Sequence, residues 1–152
     1  MNEKGEQIAA LPIKWDKSGK ITVLMVTSRE TRRWVLPKGW IMDNKKPWDA
    51  AKIEALEEAG ADGCIADEEL GAYHYDKVLD DGSTLRCRVT VYPMKVRKLK
   101  RNWKERDQRK RHWFTPKAAA KRVHEPELSA LLLRLDKKPH KEPSVRMVRK
   151  AS

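Results

Sequence analysis

Three glutamates near the middle of the chain have the chemistry and the spacing to bind a divalent metal ion. Glu54, Glu57 and Glu58 are spaced i, i+3 and i+4, so on a helix their side chains share one face about 100° wide. Carboxylates on one helix face repel one another by roughly 0.2–0.5 kcal/mol per pair. A hard cation such as Mg²⁺, which takes oxygen ligands, would offset that repulsion. Salt bridges with Lys45 or Lys52 are the alternative, and an acidic helix face can also be simply solvated.

A turn that contains lysine and glycine precedes the glutamates. Lys38 and Gly39 follow directly after Pro37, and Lys45 and Lys46 come just before the predicted helix. A glycine lets the backbone approach a phosphate closely, and ammonium groups attract anions. We interpret these residues as candidates for contacts with a substrate phosphate, with exposed loop lysines as the alternative.

The elements that must position these residues begin with strands and one helix. The β-branched run over residues 21–28 predicts a buried strand, and residues 6–15 predict a strand that breaks near Pro12. The glutamate helix is predicted over residues 47–59. Proline suits its first turn, and Gly60 can take the left-handed conformation that ends a helix.

The second half of the chain continues with strands and then helices. Residues 70–79 and 84–96 predict two antiparallel strands around a turn, and residues 111–114 predict a further short strand. Helices are predicted over residues 115–123 and 125–135. This order of elements predicts a mixed α/β fold, with a mixed, largely antiparallel sheet between helices.

Positive charge is concentrated in two segments. The chain has a formal net charge of +12, and residues 95–112, which we call the basic segment, contain 10 basic and 2 acidic residues. Such a segment attracts polyanions such as nucleic acid or inositol polyphosphates, although a merely solvated surface can have the same composition. Residues 137–152 contain 6 basic and 1 acidic residue, two prolines and little apolar pattern. They are predicted to be a flexible tail.

Several classes of protein are not expected from this composition. No apolar run approaches the roughly 18 residues of a membrane span, and the N-terminus has no apolar signal region behind a basic start. Cys64 and Cys87 are too few for a disulfide framework and lack the spacing of a zinc site, so both are expected to be reduced. These features predict a cytoplasmic protein with no membrane partner, whereas the oligomeric state is not determined by the sequence.

The spacing of glycines and glutamates resembles the signature of the Nudix hydrolase family. Gly39 matches the first glycine of that signature, and Gly60 matches its final glycine. Glu54, Glu57 and Glu58 match three of its glutamates. A match over more than twenty residues is far more specific than three glutamates alone.

A later stretch extends this resemblance. Residues 103–123, WKERDQRKRHWFTPKAAAKRV, resemble a segment of Nudix proteins that act on diadenosine polyphosphates or diphosphoinositol polyphosphates. The resemblance covers roughly residues 5–135. It implies a Nudix-like α/β/α sandwich in a domain of residues 1–136, followed by the basic tail of residues 137–152.

Two positions depart from the family pattern. The first glutamate of the signature is Lys45 here, and its arginine is Ile53. In the family that arginine commonly holds the glutamates in place, and the first glutamate can assist the metal site. Because Glu54, Glu57 and Glu58 remain, we expect an active enzyme rather than a degenerate site.

The resemblance also implies a reaction. Water would attack one phosphorus of a diphosphate bridge, assisted by Mg²⁺ or Mn²⁺ held by Glu54, Glu57 and Glu58. The implied catalytic residues are Glu54, Glu57 and Glu105, with either Glu54 or Glu105 as the general base. The alternative for Glu105 is an ion pair with an adjacent basic side chain.

The expected substrate is rich in phosphate. Arg33, Lys38, Gly39 and Arg109 are the candidate substrate-binding residues, and Arg111 could serve likewise through its bidentate geometry. The basic segment favours a diphosphoinositol polyphosphate or a dinucleoside polyphosphate, and a triphosphorylated RNA 5′ end also fits. The alternative function is a non-catalytic Nudix-like module that binds RNA or another polyanion. The lack of an aromatic-rich RNA-binding strand counts against nucleic acid as the partner.

Overall fold

The structure is a computed structural model that describes residues 5–151, so predictions for residues 1–4 and for Ser152 lie outside the described residues. The strands are β1 (Glu6–Trp15), β2 (Ile21–Thr27), β3 (Trp34–Val35), β4 (Lys38–Trp40), β5 (Ala61–Ile65), β6 (Gly71–Val78), β7 (Thr84–Leu99) and β8 (Arg111–Phe114). The helices are α1 (Pro47–Ala59), α2 (Pro116–Arg122), α3 (Pro126–Lys137) and α4 (Pro143–Arg149), with a 3₁₀ turn at Pro139–Lys141.

The described strands form one mixed sheet, as the sequence predicts. Strands β1 and β7 are parallel neighbours at its centre, paired from Glu6 opposite Arg88 to Ile13 opposite Lys95. All the other pairs are antiparallel: β2 lies beside β1, β3 and β8, β4 lies beside β1, and β5 and β6 both lie beside β7. The prediction of a mixed, largely antiparallel sheet is confirmed.

Both faces of the sheet are buried, which makes the fold an α/β/α sandwich. Side chains alternate along β1, so Ala9 and Leu11 face one core and Ile8 and Ala10 face the other. Helices α2, α3 and α4 cover the first face, and α1 covers the second. Because β1 and β2 are buried on both faces, they read as continuous apolar runs rather than as alternating ones.

Helix α1 lies close to the sheet because its buried stripe is made of alanines. The fully buried alanines are Ala50, Ala51, Ala55 and Ala59. Gly60 ends the helix in the left-handed conformation, with φ 66°, and its N–H donates to the carbonyl oxygen of Leu56 at 3.0 Å. This close approach brings the glutamate face of the helix down onto the loops at the edge of the sheet.

The predicted break near Pro12 is wrong. Strand β1 continues through this residue, which lies opposite Met94 of β7. On the other side of β1, the pairing with β4 stops at Ala9 and the pairing with β2 begins at Ile13. Pro12 therefore lies where the strand has a ladder partner on one side only, and its missing N–H breaks no ladder hydrogen bond.

The structure does not bear out a flexible tail. Part of residues 137–152 forms the end of α3, the 3₁₀ turn and α4. Val145 and Val148 are buried with Ser144 against the core. Two valines spaced i, i+3 among charged residues give a weak apolar stripe, so the sequence pattern hides a helix that tertiary packing stabilises.

The remaining expectations concern cysteines and the membrane. Cys87 is buried, Cys64 is half-buried, and neither is in a disulfide. Among residues 5–151, no helix is long and apolar enough to cross a membrane.

Candidate active site

The glutamate face of α1 lies against the turn that contains Lys38 and Gly39. A methyl group at Gly39 would lie 2.3 Å from Oε2 of Glu54 and 2.5 Å from its carboxyl carbon. The backbone at position 39 thus forms a cradle for this carboxyl group that any larger residue would fill. Here the close approach that glycine permits is to Glu54.

Glu58 is the most buried of the three signature glutamates, at 7% exposure. The N–H of Lys38 donates to Glu58 Oε1 at 3.2 Å. Glu54 and Glu58 also share a side-chain hydrogen bond. These contacts place the carboxyl groups of Glu54 and Glu58 together beside the Lys38–Gly39 turn.

Glu57 faces the same side of the helix but points towards a different neighbour. Its Oε2 lies 3.7 Å from Nζ of Lys104. Its carbonyl oxygen accepts a hydrogen bond from the N–H of Glu105 at 3.0 Å, and the indole N–H of Trp103 donates to the carbonyl oxygen of Glu58 at 3.1 Å. The loop over residues 100–110 is therefore attached to the last turns of α1, and it brings Glu105 to the glutamates.

Arg109 joins the two sets of carboxylates. Its Nε donates to Glu105 Oε1 at 2.8 Å, and its Nη2 lies 3.7 Å from Glu58 Oε2. Its Nη1 donates to the carbonyl oxygen of Thr27 at 3.1 Å. The Arg109 side chain is only 9% exposed. The cationic partner of Glu105 is therefore Arg109, four residues away, and not an adjacent basic residue.

Negative charge in this cluster exceeds its local compensation. Burial, followed by the charge and hydrogen bond of Glu58 and the charges of Glu57 and Glu105, raises the pKa of Glu54 to about 8. Burial also raises the pKa of Glu58, although Arg109 and Lys38 oppose that effect. A group of four carboxyls that retains a proton near neutral pH is a site that a cation would stabilise.

The donor chemistry of this cluster fits Mg²⁺ or Mn²⁺. All the donors are carboxylate oxygens, which these ions prefer. Within residues 5–151, no three His, Cys, Asp or Glu side chains already have the geometry of a metal cage. Mg²⁺ usually keeps several waters and is held by one or two carboxylates and substrate phosphates, so it does not need such a cage.

Comparison with known proteins decides the family. A family model for the NUDIX domain matches residues 5–135. This chain belongs to the Nudix family. The predicted resemblance to the Nudix family is thereby confirmed.

Two curated relatives illustrate the range of this similarity. Nudix hydrolase 12, mitochondrial, of Arabidopsis thaliana is 34% identical over 107 residues, which cover 68% of this chain and 53% of that protein. Diphosphoinositol polyphosphate phosphohydrolase 3-beta of Homo sapiens is 32% identical over 108 residues, which cover 68% of this chain and 62% of that protein. The match thus spans about half the length of Nudix hydrolase 12.

A cytoplasmic location of this protein stays a prediction from its sequence.

Solved structures share the Nudix fold. The C. elegans Ap4A hydrolase superposes with a TM-score of 0.60 at 19% identity, covering 88% of this chain and 96% of that chain. A NUDIX hydrolase from Nitrosomonas europaea gives a TM-score of 0.68 at 16% identity, covering 95% of both chains. At these identities the likeness concerns the fold, and it confirms the predicted Nudix-like α/β/α class.

The two departures from the Nudix signature lie in different surroundings. Lys45 lines a shallow surface cavity with Asn44, Lys46 and Asp49, and none of the glutamates lines it. Ile53 is half-buried on α1 and has no group that could hold a carboxylate. The guanidinium that contacts Glu58 comes instead from Arg109, 51 residues further along the chain.

The remaining substrate-binding candidates are divided between the site and its surroundings. The ammonium of Lys38 lies over the ring of Tyr75, 5.0 Å from its centroid, and burial lowers the pKa of this lysine. Arg33 is exposed and lines a cavity of about 400 Å³ with Tyr75. Arg111 donates to the carbonyl oxygen of Ala59 at 2.9 Å and lies over the Trp103 ring, so it supports the structure.

Sequence reasoning missed the contacts made by Trp103, Thr27 and Tyr75. Trp103 contacts Glu58, the carbonyl oxygen of Thr27 contacts Arg109, and Tyr75 contacts Lys38, and in each pair the two residues are far apart in the chain. The Trp in the later Nudix-like stretch was the available signal for the first of them. Nothing in the sequence points to Thr27, whose carbonyl oxygen becomes an Arg109 acceptor only when β2 and the loop over residues 100–110 are side by side.

Proposed function

We propose that this protein is a metal-dependent Nudix hydrolase that cleaves a diphosphate linkage in a phosphate-rich small molecule. The observation that carries the proposal is the pair of Glu54 and Glu58 beside the Lys38–Gly39 turn, which Arg109 joins to Glu105. In that cluster the pKa of Glu54 is raised to about 8 by burial and by neighbouring carboxyls. Such perturbed groups concentrate at functional sites.

The residues have distinct tasks in this proposal. Oxygens of Glu57, Glu58 and Glu105 would hold Mg²⁺ or Mn²⁺, and Glu54 is within the same cluster. When bound, the ion would supply positive charge to phosphate oxygens and make water more acidic.

Glu54 is our proposed proton acceptor for the attacking water. Within residues 5–151, Glu57 has Lys104 as a cationic partner, and Glu58 and Glu105 share Arg109. Among the described residues 5–151, no basic side chain forms such an ion pair with Glu54, and burial raises the pKa of this carboxyl, so it is suited to take up a proton. This assignment keeps Glu54 and Glu57 as catalytic residues and gives Glu105 a supporting place at the metal.

Lys38 supports a phosphate-rich substrate. Its ammonium forms no hydrogen bond or ion pair within residues 5–151, and its described contact is the Tyr75 ring. The charges of Glu58 and Glu125 act on it, yet neither comes within ion-pair distance. An incoming phosphate would provide the missing anionic partner. Arg33 and Arg86 in the adjoining cavity could contact further phosphates.

The substrate class is therefore a diphosphoinositol polyphosphate or a dinucleoside polyphosphate. The names of a human relative and of a C. elegans structural neighbour mention these two classes. The test is phosphate release from a panel of both classes, and from triphosphorylated RNA, with Mg²⁺ or Mn²⁺. Glu57→Gln should abolish turnover, whereas the exposed Glu68→Gln should leave it unchanged.

The alternative is a non-catalytic module that binds RNA or another polyanion. The altered signature positions Lys45 and Ile53 favour it. If the wild-type protein releases phosphate from no compound in the panel while it binds RNA tightly, the hydrolase proposal fails.

A further inference from the structure

We infer that Arg109 is a positioning residue for the glutamates, and that it takes over the task of the arginine that position 53 lacks. The inference rests on the metal-holding part of the proposed function. Isoleucine at position 53 offers no hydrogen-bond donor, yet the carboxyl groups of Glu58 and Glu105 are held by a guanidinium all the same.

The geometry of Arg109 supports positioning rather than a free substrate contact. Each of its three guanidinium nitrogens faces a protein oxygen: Nε donates to Glu105, Nη1 to the carbonyl oxygen of Thr27, and Nη2 lies near Glu58. A planar guanidinium fixes the direction of its partners, which an ammonium does not. An arginine that is 9% exposed and has these contacts is held by the protein fold.

Three separate elements converge through this side chain. Thr27 ends β2, Glu58 belongs to α1, and Glu105 lies in the loop over residues 100–110. The N–H of Lys110, next to Arg109, also donates to Thr27 Oγ1 at 2.9 Å. Arg109 therefore fixes the loop to the sheet edge and the two carboxylates to each other. Groups behind the ligands of a metal commonly set its affinity in this way.

Two roles are possible for Arg109, one through its charge alone and one through holding the carboxylates in position, and they predict opposite effects of its replacement on metal binding. Arg109→Gln removes a positive charge from beside the carboxylates, so a role of charge alone would strengthen the binding of a cation. Loss of positioning would weaken it. The decisive measurement is therefore a calorimetric titration of the purified full chain with Mn²⁺, which needs no turnover.

We expect Arg109→Gln to weaken Mn²⁺ binding by about tenfold to a hundredfold. Arg109→Lys keeps the charge but loses the planar guanidinium with its several directed N–H donors, and it should weaken Mn²⁺ binding by a smaller factor. Arg106→Gln, a matched loss of charge at an exposed arginine in the same loop, should leave it unchanged. Thermal unfolding in EDTA checks that each variant is folded, and if Arg109→Gln does not fold, Arg109→Lys decides.

A second change in the same chain tests whether Arg109 performs the task of the signature arginine that position 53 lacks. On α1, an arginine introduced by Ile53→Arg is four residues before Glu57, within reach on the helix surface. The double variant Ile53→Arg with Arg109→Gln should recover part of the lost Mn²⁺ affinity. If it recovers none, Arg109 does not replace the arginine of the signature.

Other results would overturn the positioning task. Unchanged or stronger Mn²⁺ binding in both Arg109 variants would do so. A raised KM with unchanged Mn²⁺ affinity would assign Arg109 to substrate phosphate. Since the titration is independent of turnover, these outcomes remain distinct from failure of the hydrolase proposal, in which the wild type binds Mn²⁺ and cleaves nothing.

Discussion

Helix α1 and the basic segment carry opposite charges, and they differ in how far sequence spacing determines their role. The three glutamates of α1 share a face because helical geometry alone places i, i+3 and i+4 together. The cations of residues 95–112 have no common face, because the segment contains the end of β7, a loop and the start of β8. A periodic element therefore reveals its functional face, whereas a charge-rich segment reveals only its charge.

The basic segment is divided in the folded protein. Lys95 donates to the carbonyl oxygens of Arg149 and Ala151 at the end of α4, Arg109 contacts the glutamates, and Arg111 supports Trp103. Other cations of the segment are exposed, and these are Arg97, Lys98, Arg101, Lys104, Arg106 and Lys110. The surface offered to a polyanion is thus smaller than the net charge of the segment suggests.

The largest effect on turnover is expected from a substitution at Gly39, in the turn that lies against the glutamate face of α1. Gly39→Ala would place a methyl group 2.3 Å from Glu54 Oε2, the mobile end of a flexible side chain. The carboxyl must move, so kcat should fall about tenfold to a hundredfold with little change in melting temperature.

Gly71→Ala is the control with the opposite pattern. Its methyl group would lie 2.6 Å from Leu131 Cδ2 in the core, so it should lower the melting temperature and leave kcat unchanged. Normal turnover in Gly39→Ala would show that the cradle around Glu54 is not needed for catalysis.

A smaller effect is expected from the charge excess on α1. The pKa of Glu54 is about 8 in the folded protein and lies near 4.5 otherwise. The folded state therefore binds this proton more tightly, and in EDTA its free energy of unfolding should fall as pH rises from about 5 to about 8. Allowing for solvent screening at this half-exposed group, the loss is about 1–2 kcal/mol.

Glu54→Gln should lose this part of the pH dependence. Above pH 8 the metal-free variant should be more stable than the wild type, and the difference should vanish near pH 4. Chemical denaturation at several pH values measures it. Parallel pH profiles for the two proteins would contradict the crowding of carboxylates on α1.

The smallest effect distinguishes cations within the basic segment. Lys95→Gln replaces the ammonium that donates to the carbonyl oxygens of Arg149 and Ala151 with a shorter, neutral amide, and should lower the free energy of unfolding by about 1 kcal/mol. The exposed Lys98→Gln should change it by less than about 0.5 kcal/mol. Equal effects of the two substitutions in urea denaturation would mean that the hydrogen bonds of Lys95 do not stabilise the folded protein.

Much of the fold followed from periodicity and turn chemistry. The bounds of α1 were predictable because Pro47 and Gly60 mark both ends of the helix. The packing of α4 was not, since its two valines become a buried face only when β7 and the 3₁₀ turn are already in place. Pro12 misled for a related reason: whether a proline interrupts a strand depends on which side of that strand has a partner.

The sequence alone determined the glutamate stripe, the helix that carries it and the Nudix signature, because these depend on residues close together in the chain. Tertiary structure decided which groups surround those carboxylates. Arg109 reaches Glu58 across 51 residues, and Lys38 approaches Tyr75 across 37. Such contacts depend on which strands become neighbours, so the departure at Ile53 could be read in the sequence, while the residue that compensates for it required the fold.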